Sequence, residues 1–217
     1  MEITSRTALR WAAAAWLGTG IYFPLQLVVA RAWPRPYSFI ANTISDLGVT
    51  ACDVPSTARG VEALVCSPLH DVMNGGFIAF GMMTIAGAAL LARGLRGSRL
   101  NAVAIGCIVI VGTGGVLVGL APSNVSPELH KAAALMRVPG VLAMGLMGLS
   151  LRQQRPRLAT FSFGAAAASI VGMAWFASPA SAGWAGAAER LALDPFTIWA
   201  MAMGVGLASQ PTRGVED

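Results

Sequence analysis

The chain contains two histidines, His70 and His130, and each follows a Ser-Pro pair: Ser67-Pro68-Leu69-His70-Asp71 and Ser126-Pro127-Glu128-Leu129-His130. An imidazole moves protons near neutral pH. These two are therefore the candidate acid/base groups, with Asp46 and Asp71 as the carboxylates that would orient them. Asp46 lies in the stretch ANTISDLG, residues 41–48, beside Asn42 and Ser45. Ser45, a histidine base and an aspartate have the group types of a nucleophilic triad, although Ser45 is not in a G-x-S-x-G elbow. Two histidines and a carboxylate would also suffice for a metal. No H-x-x-x-H pair is present, however, and the expected cofactor set is none.

The other polar groups fall into register with these on helical spacing. His70 and Asn74 are four apart and Asp71 and Asn74 three apart, so the three cluster on neighbouring faces. Arg137 follows His130 by two turns and shares its face. Glu189 and Arg190 adjoin, Asp194 is four beyond Arg190, and Thr197 is a turn further on. Asn42, Ser45, Asn74, Arg137, Glu189, Arg190 and Asp194 are the candidate ligand-binding set. Each has a structural alternative. Arg137 is either an anion ligand or the partner of Asp71, Asp194 or Asp46; Arg190 and Asp194 can pair with each other. In ANTISDLG, Asp46 can cap a turn and Gly48 can supply a positive φ.

The elements that position these groups follow from composition. Of 217 residues, 55% are hydrophobic and 12% charged, with mean hydropathy +0.64. Soluble domains carry about 25% charge; this chain cannot cover a soluble surface and reads as an integral membrane protein. Six apolar runs, about 11–30, 72–92, 100–121, 129–151, 158–177 and 185–208, are each long enough to cross roughly 30 Å of hydrocarbon as helix. Period-two alternation is absent, which argues against a barrel. The fold class is an all-α, six-helix transmembrane bundle forming a single domain over 1–217. The first run ends without a small-x-small cleavage site, so it reads as a retained signal-anchor helix.

Lys/Arg placement orients the bundle. Arg6 and Arg10 precede the first span. Arg93, Arg96 and Arg99 crowd the second link, Arg152, Arg155 and Arg157 the fourth, and Arg213 lies in the tail. Both termini are therefore expected inside, with a long extracytoplasmic loop over 31–71 and shorter outer loops at 122–129 and 178–184. The acids agree: Asp46, Asp53, Glu62, Asp71, Glu128, Glu189 and Asp194 fall on or near the outer side, and only Glu2, Glu216 and Asp217 fall inside. The net charge of +5 is spread over helix ends. Without a basic stripe interleaved with aromatics, nucleic acid is excluded as a partner. Cys52 and Cys66 share the long outer loop, where an oxidising compartment permits either a bridge worth about 3 kcal/mol or two unpaired thiols. Cys107 reads as a packing residue.

Polar groups thus gather in the outer halves of the second, fourth and sixth spans, while the first, third and fifth offer none comparable. Gly115 and Gly119 give the third span a small-xxx-small packing face. The second, fourth and sixth helices also point their positive N-terminal ends outward, which favours an anionic ligand near Arg137 and Arg190.

Asn42 to Gly48, Ser67-Pro68 with Asn74, His130, and Glu189-Arg190 followed by Trp199 together resemble the six-helix membrane family catalogued as domain of unknown function 998. The resemblance covers nearly the whole chain. The Ile-Ser-Asp element is more distantly similar to the Frag1/DRAM/Sfk1 family, some of whose members act in lipid remodelling or lipid organisation. The insert between Gly48 and Ser67 departs from the pattern.

The leading expectation is a multi-pass plasma-membrane protein with an outward-facing polar pocket that binds, or modifies by acid/base chemistry, a membrane lipid or other anionic amphiphile. The alternative is a structural or assembly protein whose polar cluster locks helices together. A transporter would need a polar path through the inner halves of the spans, which are nearly all apolar. Oligomeric state and substrate stay open.

Overall fold

The computed structural model describes residues 5–56, 64–94 and 98–209. Glu2, Glu62, Arg96, Arg213, Glu216 and Asp217, used above for orientation, lie outside the described residues. The chain forms helices α1 (Arg6–Gly18), α2 (Tyr22–Arg31), α3 (His70–Gly94), α4 (Arg99–Leu120), α5 (Pro127–Leu135), α6 (Pro139–Leu151), α7 (Pro156–Ala177) and α8 (Ala185–Ala208). A two-residue antiparallel pair, β1 (Val54–Pro55) with β2 (Leu64–Val65), lies between α2 and α3. Cys52 and Cys66 flank that pair and are disulfide-bonded.

These eight helices make six spans long and apolar enough to cross a membrane: Arg6–Arg31, His70–Gly94, Arg99–Leu120, Pro127–Leu151, Pro156–Ala177 and Ala185–Ala208. Two spans are built from two helices each, and proline accounts for the break in the fourth. Pro139 has no N–H and its ring crowds the carbonyl four residues back. The chain answers with three-residue turns, Met136 N–H to Ala133 O, Arg137 N–H to Ala134 O and Val138 N–H to Leu135 O. Arg137 therefore sits in a break between α5 and α6 and not on the continuous helix expected over 129–151. In the first span a short tight turn at Thr19–Ile21 joins α1 to α2, just before Pro24.

Each span packs on the next, and the last returns to the first: α1 on α3, α3 on α4, α4 on α6, α6 on α7, α7 on α8 and α8 on α1. The ring closes around Trp16, Phe80, Ile108, Val111, Met144, Met147, Phe196 and Trp199. Backbones approach closely between α3 and α4, as they also do where Gly172 of α7 meets Leu191 and Ala192 of α8. A Cβ on Gly115 would lie 3.2 Å from Gly81 Cα, and one on Gly119 would meet the Asn74 carbonyl and Ile78. Large apolar side chains face outward on the ring, among them Trp11, Met82, Val103, Leu142, Val171 and Val205, as lipid contact requires.

A second apolar cluster joins Tyr22, Val29, Ile44, Leu47, Met73 and Phe77. It seats Trp33, Tyr37, Ile44, Leu47 and Leu69 on the ends of α2 and α3, so the described residues between α2 and α3 form a packed cover over one end of the ring.

Candidate functional site

The cover is organised around TISD, residues 43–46. The Asp46 carboxylate accepts from the Thr43 N–H at 3.1 Å, and the Thr43 hydroxyl accepts from the Asp46 N–H at 3.2 Å. This reciprocal pair is a capping box on the tight turn Ser45–Gly48. Asp46 is fully buried and also accepts from the Asn42 amide and, at 2.8 Å, from the Ser56 hydroxyl. Asn42 in turn accepts from the Ser38 N–H. Asp46 and Asn42 thus build the turn, and neither lines the cavities beside Ser45.

Gly48 does not take the positive φ expected of it; among the described residues only Gly183 and Asp53 do. Its reason is proximity. A Cβ there would run into the Asn74 side chain, whose amide donates to the Gly48 carbonyl at 2.9 Å. Asn74 is therefore a fastening for the turn.

Arg190 fastens the same segment from α8. One guanidinium nitrogen donates to the carbonyls of Phe39 (3.0 Å), Asn42 (3.1 Å) and Gly186 (3.1 Å); the other donates to the Tyr37 hydroxyl (2.7 Å) and the Gln26 side chain (3.3 Å). It also lies over the Phe39 and Tyr37 rings. The expected Arg190–Asp194 pairing is not made, and both terminal nitrogens of Arg190 are engaged by protein. Burial pushes the Tyr37 pKa up, so its hydroxyl keeps its proton and donates to the Asn42 or Thr43 carbonyl. Gln26 and Tyr22 bring polar groups from the first span, where no group comparable to those of the second, fourth and sixth spans was expected. Gln26 was visible as a lone amide in an apolar run; Tyr37 had no such signal.

The start of α8 is used in the same way. Gly186 N–H and Ala187 N–H donate to the Ala41 and Ile40 carbonyls. This helix terminus is taken by the chain itself, so it cannot serve the anion as expected. A Cβ on Gly186 would overlap the Asn42 carbonyl and come within 2.8 Å of the Phe39 carbonyl. Gly186→Ala is expected to push the cover off α8 and cost about 1–3 kcal/mol, seen as a lower thermal midpoint in detergent.

Ser45 stands on the fastened turn, half-buried, with its hydroxyl 3.0 Å from His130 Nε2 and 3.2 Å from Glu189 Oε1. The other Glu189 oxygen accepts from the Ile44 N–H. His130 Nδ1 lies 2.8 Å from the Ala121 carbonyl. A carbonyl can only accept, so Nδ1 carries a proton; in the neutral ring Nε2 then turns a lone pair to Ser45, whose single hydroxyl proton has Glu189 Oε1 as its other acceptor. His130 and Glu189 are each 7% exposed.

These groups separate two cavities. The inner one, about 40 Å³, is lined by Tyr22, Phe77, Phe80, Val118, Leu193 and Arg137 in addition to Ser45, His130 and Glu189. The outer one, about 320 Å³, adds Thr43, Ser123, Lys131, Phe176 and Ser181 to the same three. Arg137, half-buried, lies 4.6 Å from the centre of the Phe80 ring and 6.0 Å from that of Phe196. Among the described residues no hydrogen bond or ion pair holds its guanidinium. Tyr22, Asp194 and Glu189 are its ionisable neighbours, and one Asp194 oxygen is buried without a hydrogen-bond partner.

His70 and Asp71 do not join this site. His70 Nδ1 donates to the Ser67 carbonyl, and its Nε2 lies 3.4 Å from Asp71, whose side chain is 94% exposed. The Ser67 hydroxyl donates to the Leu47 carbonyl and does not cap α3; Ser126 makes no side-chain cap on α5. The two histidines thus share a sequence setting but not a site. Among the described residues no group of three or more His, Cys, Asp or Glu side chains is placed to hold a metal.

A closed ring of apolar spans with a polar pocket under a packed cover defines a multi-pass α-helical membrane protein. The family model described as protein of unknown function (DUF998) matches residues 16–206, and the chain belongs to that family. The match runs from Trp16 in the ring core to Gly206 near the end of α8 and includes Ser45, His130, Arg137 and Glu189. No curated protein and no solved structure matches the chain.

Proposed function

We propose that the pocket binds the anionic group of a membrane lipid or other amphiphile, on the outer side of a plasma membrane. Arg137 carries this reading. A guanidinium offers five donors, and this one, set on Phe80 beside a cavity, has none of them engaged by the described residues. Arginine so placed is suited to carboxylate or phosphate. A cavity of about 40 Å³ has room for a small charged group or a few waters, with the remainder of the molecule in the larger outer cavity. Arginine-rich links at the opposite end of the ring support placing the pocket outside, with both termini inside.

The second reading, a structural protein whose polar groups only lock helices, draws on Arg190 and Asp46, whose partners are all within the chain. The two readings separate by residue: Arg190 locks and Arg137 receives. A ligand that binds only the folded state raises its stability. Oleate in mixed micelles is expected to raise the thermal midpoint of the wild type, phosphatidylcholine to leave it unchanged, and Arg137→Ala to be indifferent to both. Equal shifts in wild type and variant would refute the assignment.

A further inference from the structure

We propose that Ser45 is a nucleophile and His130 its general base, and that the pocket cleaves a carboxylic ester of an amphiphile. This rests on the binding reading of Arg137 and gives the anion it meets a source. Three observations carry it. The Ser45 hydroxyl is at hydrogen-bond distance, 3.0 Å, from Nε2, the geometry an activated serine requires. The Ala121 carbonyl fixes the tautomer that leaves Nε2 free to take a proton. Ser45 and His130 line both cavities, so an ester lying in the outer one would meet the hydroxyl with Arg137 on the far side.

The step balances with water as the only co-reactant. Ser45 Oγ bonds to the ester carbonyl carbon while its proton passes to His130 Nε2. The tetrahedral oxyanion collapses, the bond to the alcohol oxygen breaks, and Nε2 returns the proton to that alcohol. Water then attacks the acyl-serine and gives a proton to Nε2. The acyl–Oγ bond breaks, Oγ takes the proton back, and a carboxylic acid is released, which gives its proton to solvent water and becomes the carboxylate. Negative charge on the oxyanion and on the product carboxylate can point into the inner cavity that Arg137 lines. The Glu189 carboxylate is the other acceptor for the Ser45 hydroxyl proton; once that proton has passed to Nε2, its negative charge favours the imidazolium formed in each half. Positive and negative charge are thus set where the transition state develops its own.

The test is an alkyl fluorophosphonate on the intact, detergent-purified protein, read by intact mass and peptide mapping. Attack by Oγ forms a serine–phosphorus bond and expels fluoride. The expected result is one adduct, on Ser45. His130→Ala should slow its formation by about 100-fold or more in protein that retains a cooperative thermal transition. An adduct on another serine, or none on folded wild type, would overturn the proposal without recourse to any variant. A wild type that is stabilised by oleate yet takes no adduct would overturn the chemistry and leave the binding reading standing. Failure of both measurements would remove both.

Discussion

Arg190→Ala is expected to lower the thermal midpoint by roughly 5–10 °C, whether or not lipid is added. The substitution removes contacts to the Phe39, Asn42 and Gly186 carbonyls, to Tyr37 and to Gln26 at one stroke. Hydrogen bonds to charged groups contribute about 1.5–3 kcal/mol each, though not additively, and a buried acceptor left unpaired costs more than the bond was worth. A loss of about 2–4 kcal/mol is therefore expected. Arg190→Lys should recover little of it, because an ammonium cannot reach partners in two directions as the planar fork does. Differential scanning fluorimetry in one detergent would check both. A variant as stable as wild type would mean that the cover is held mainly by the Ile44, Leu47 and Met73 packing beneath it.

Arg137→Ala is expected to behave in the opposite way. With no hydrogen bond or ion pair among the described residues, this half-buried guanidinium contributes little beyond its contact with Phe80, worth about 0.5–1 kcal/mol. In lipid-stripped protein the variant should melt within roughly 2–4 °C of wild type. With an anionic amphiphile present, the wild type alone should rise. Two arginines at the same end of the bundle would then be separated by experiment into a structural and a receiving role. A large loss of stability in stripped Arg137→Ala protein would place Arg137 with Arg190 as a lock, with Asp194 its natural partner.

The architecture was legible in the sequence because a bilayer constrains it so tightly. An apolar run of sufficient length has no alternative to helix, and all six spans follow from that. The break at Pro139 was equally visible as a residue, yet the hydropathy of 129–151 runs straight across it, so Arg137 was placed on a continuous helix. His130 and Arg137 line one cavity across the break, where helical spacing alone had them on one face of a continuous helix. That spacing put His70, Asp71 and Asn74 on neighbouring faces too, but spacing within one helix says nothing of what the face meets. His70 and Asp71 meet the surface, and Asn74 meets Gly48. The division of labour in ANTISDLG was the least legible part. Asn42 and Asp46 spend their hydrogen bonds inside the turn, which leaves Ser45 to face His130, and that depends on how residues 39–48 fold back on α3 and α8. Arg190's role was hidden for the same reason, since its partners are mostly backbone carbonyls that no side-chain pattern announces.

Native mass spectrometry of the detergent-purified wild type beside Arg137→Ala tests the central claim most directly. A discrete mass with the composition of an anionic amphiphile, bound to wild type and missing from the folded variant, is the predicted result. The same mass on both proteins, or none on either with the variant merely less stable, would contradict it and leave the polar groups as a device that holds the cover to the ring.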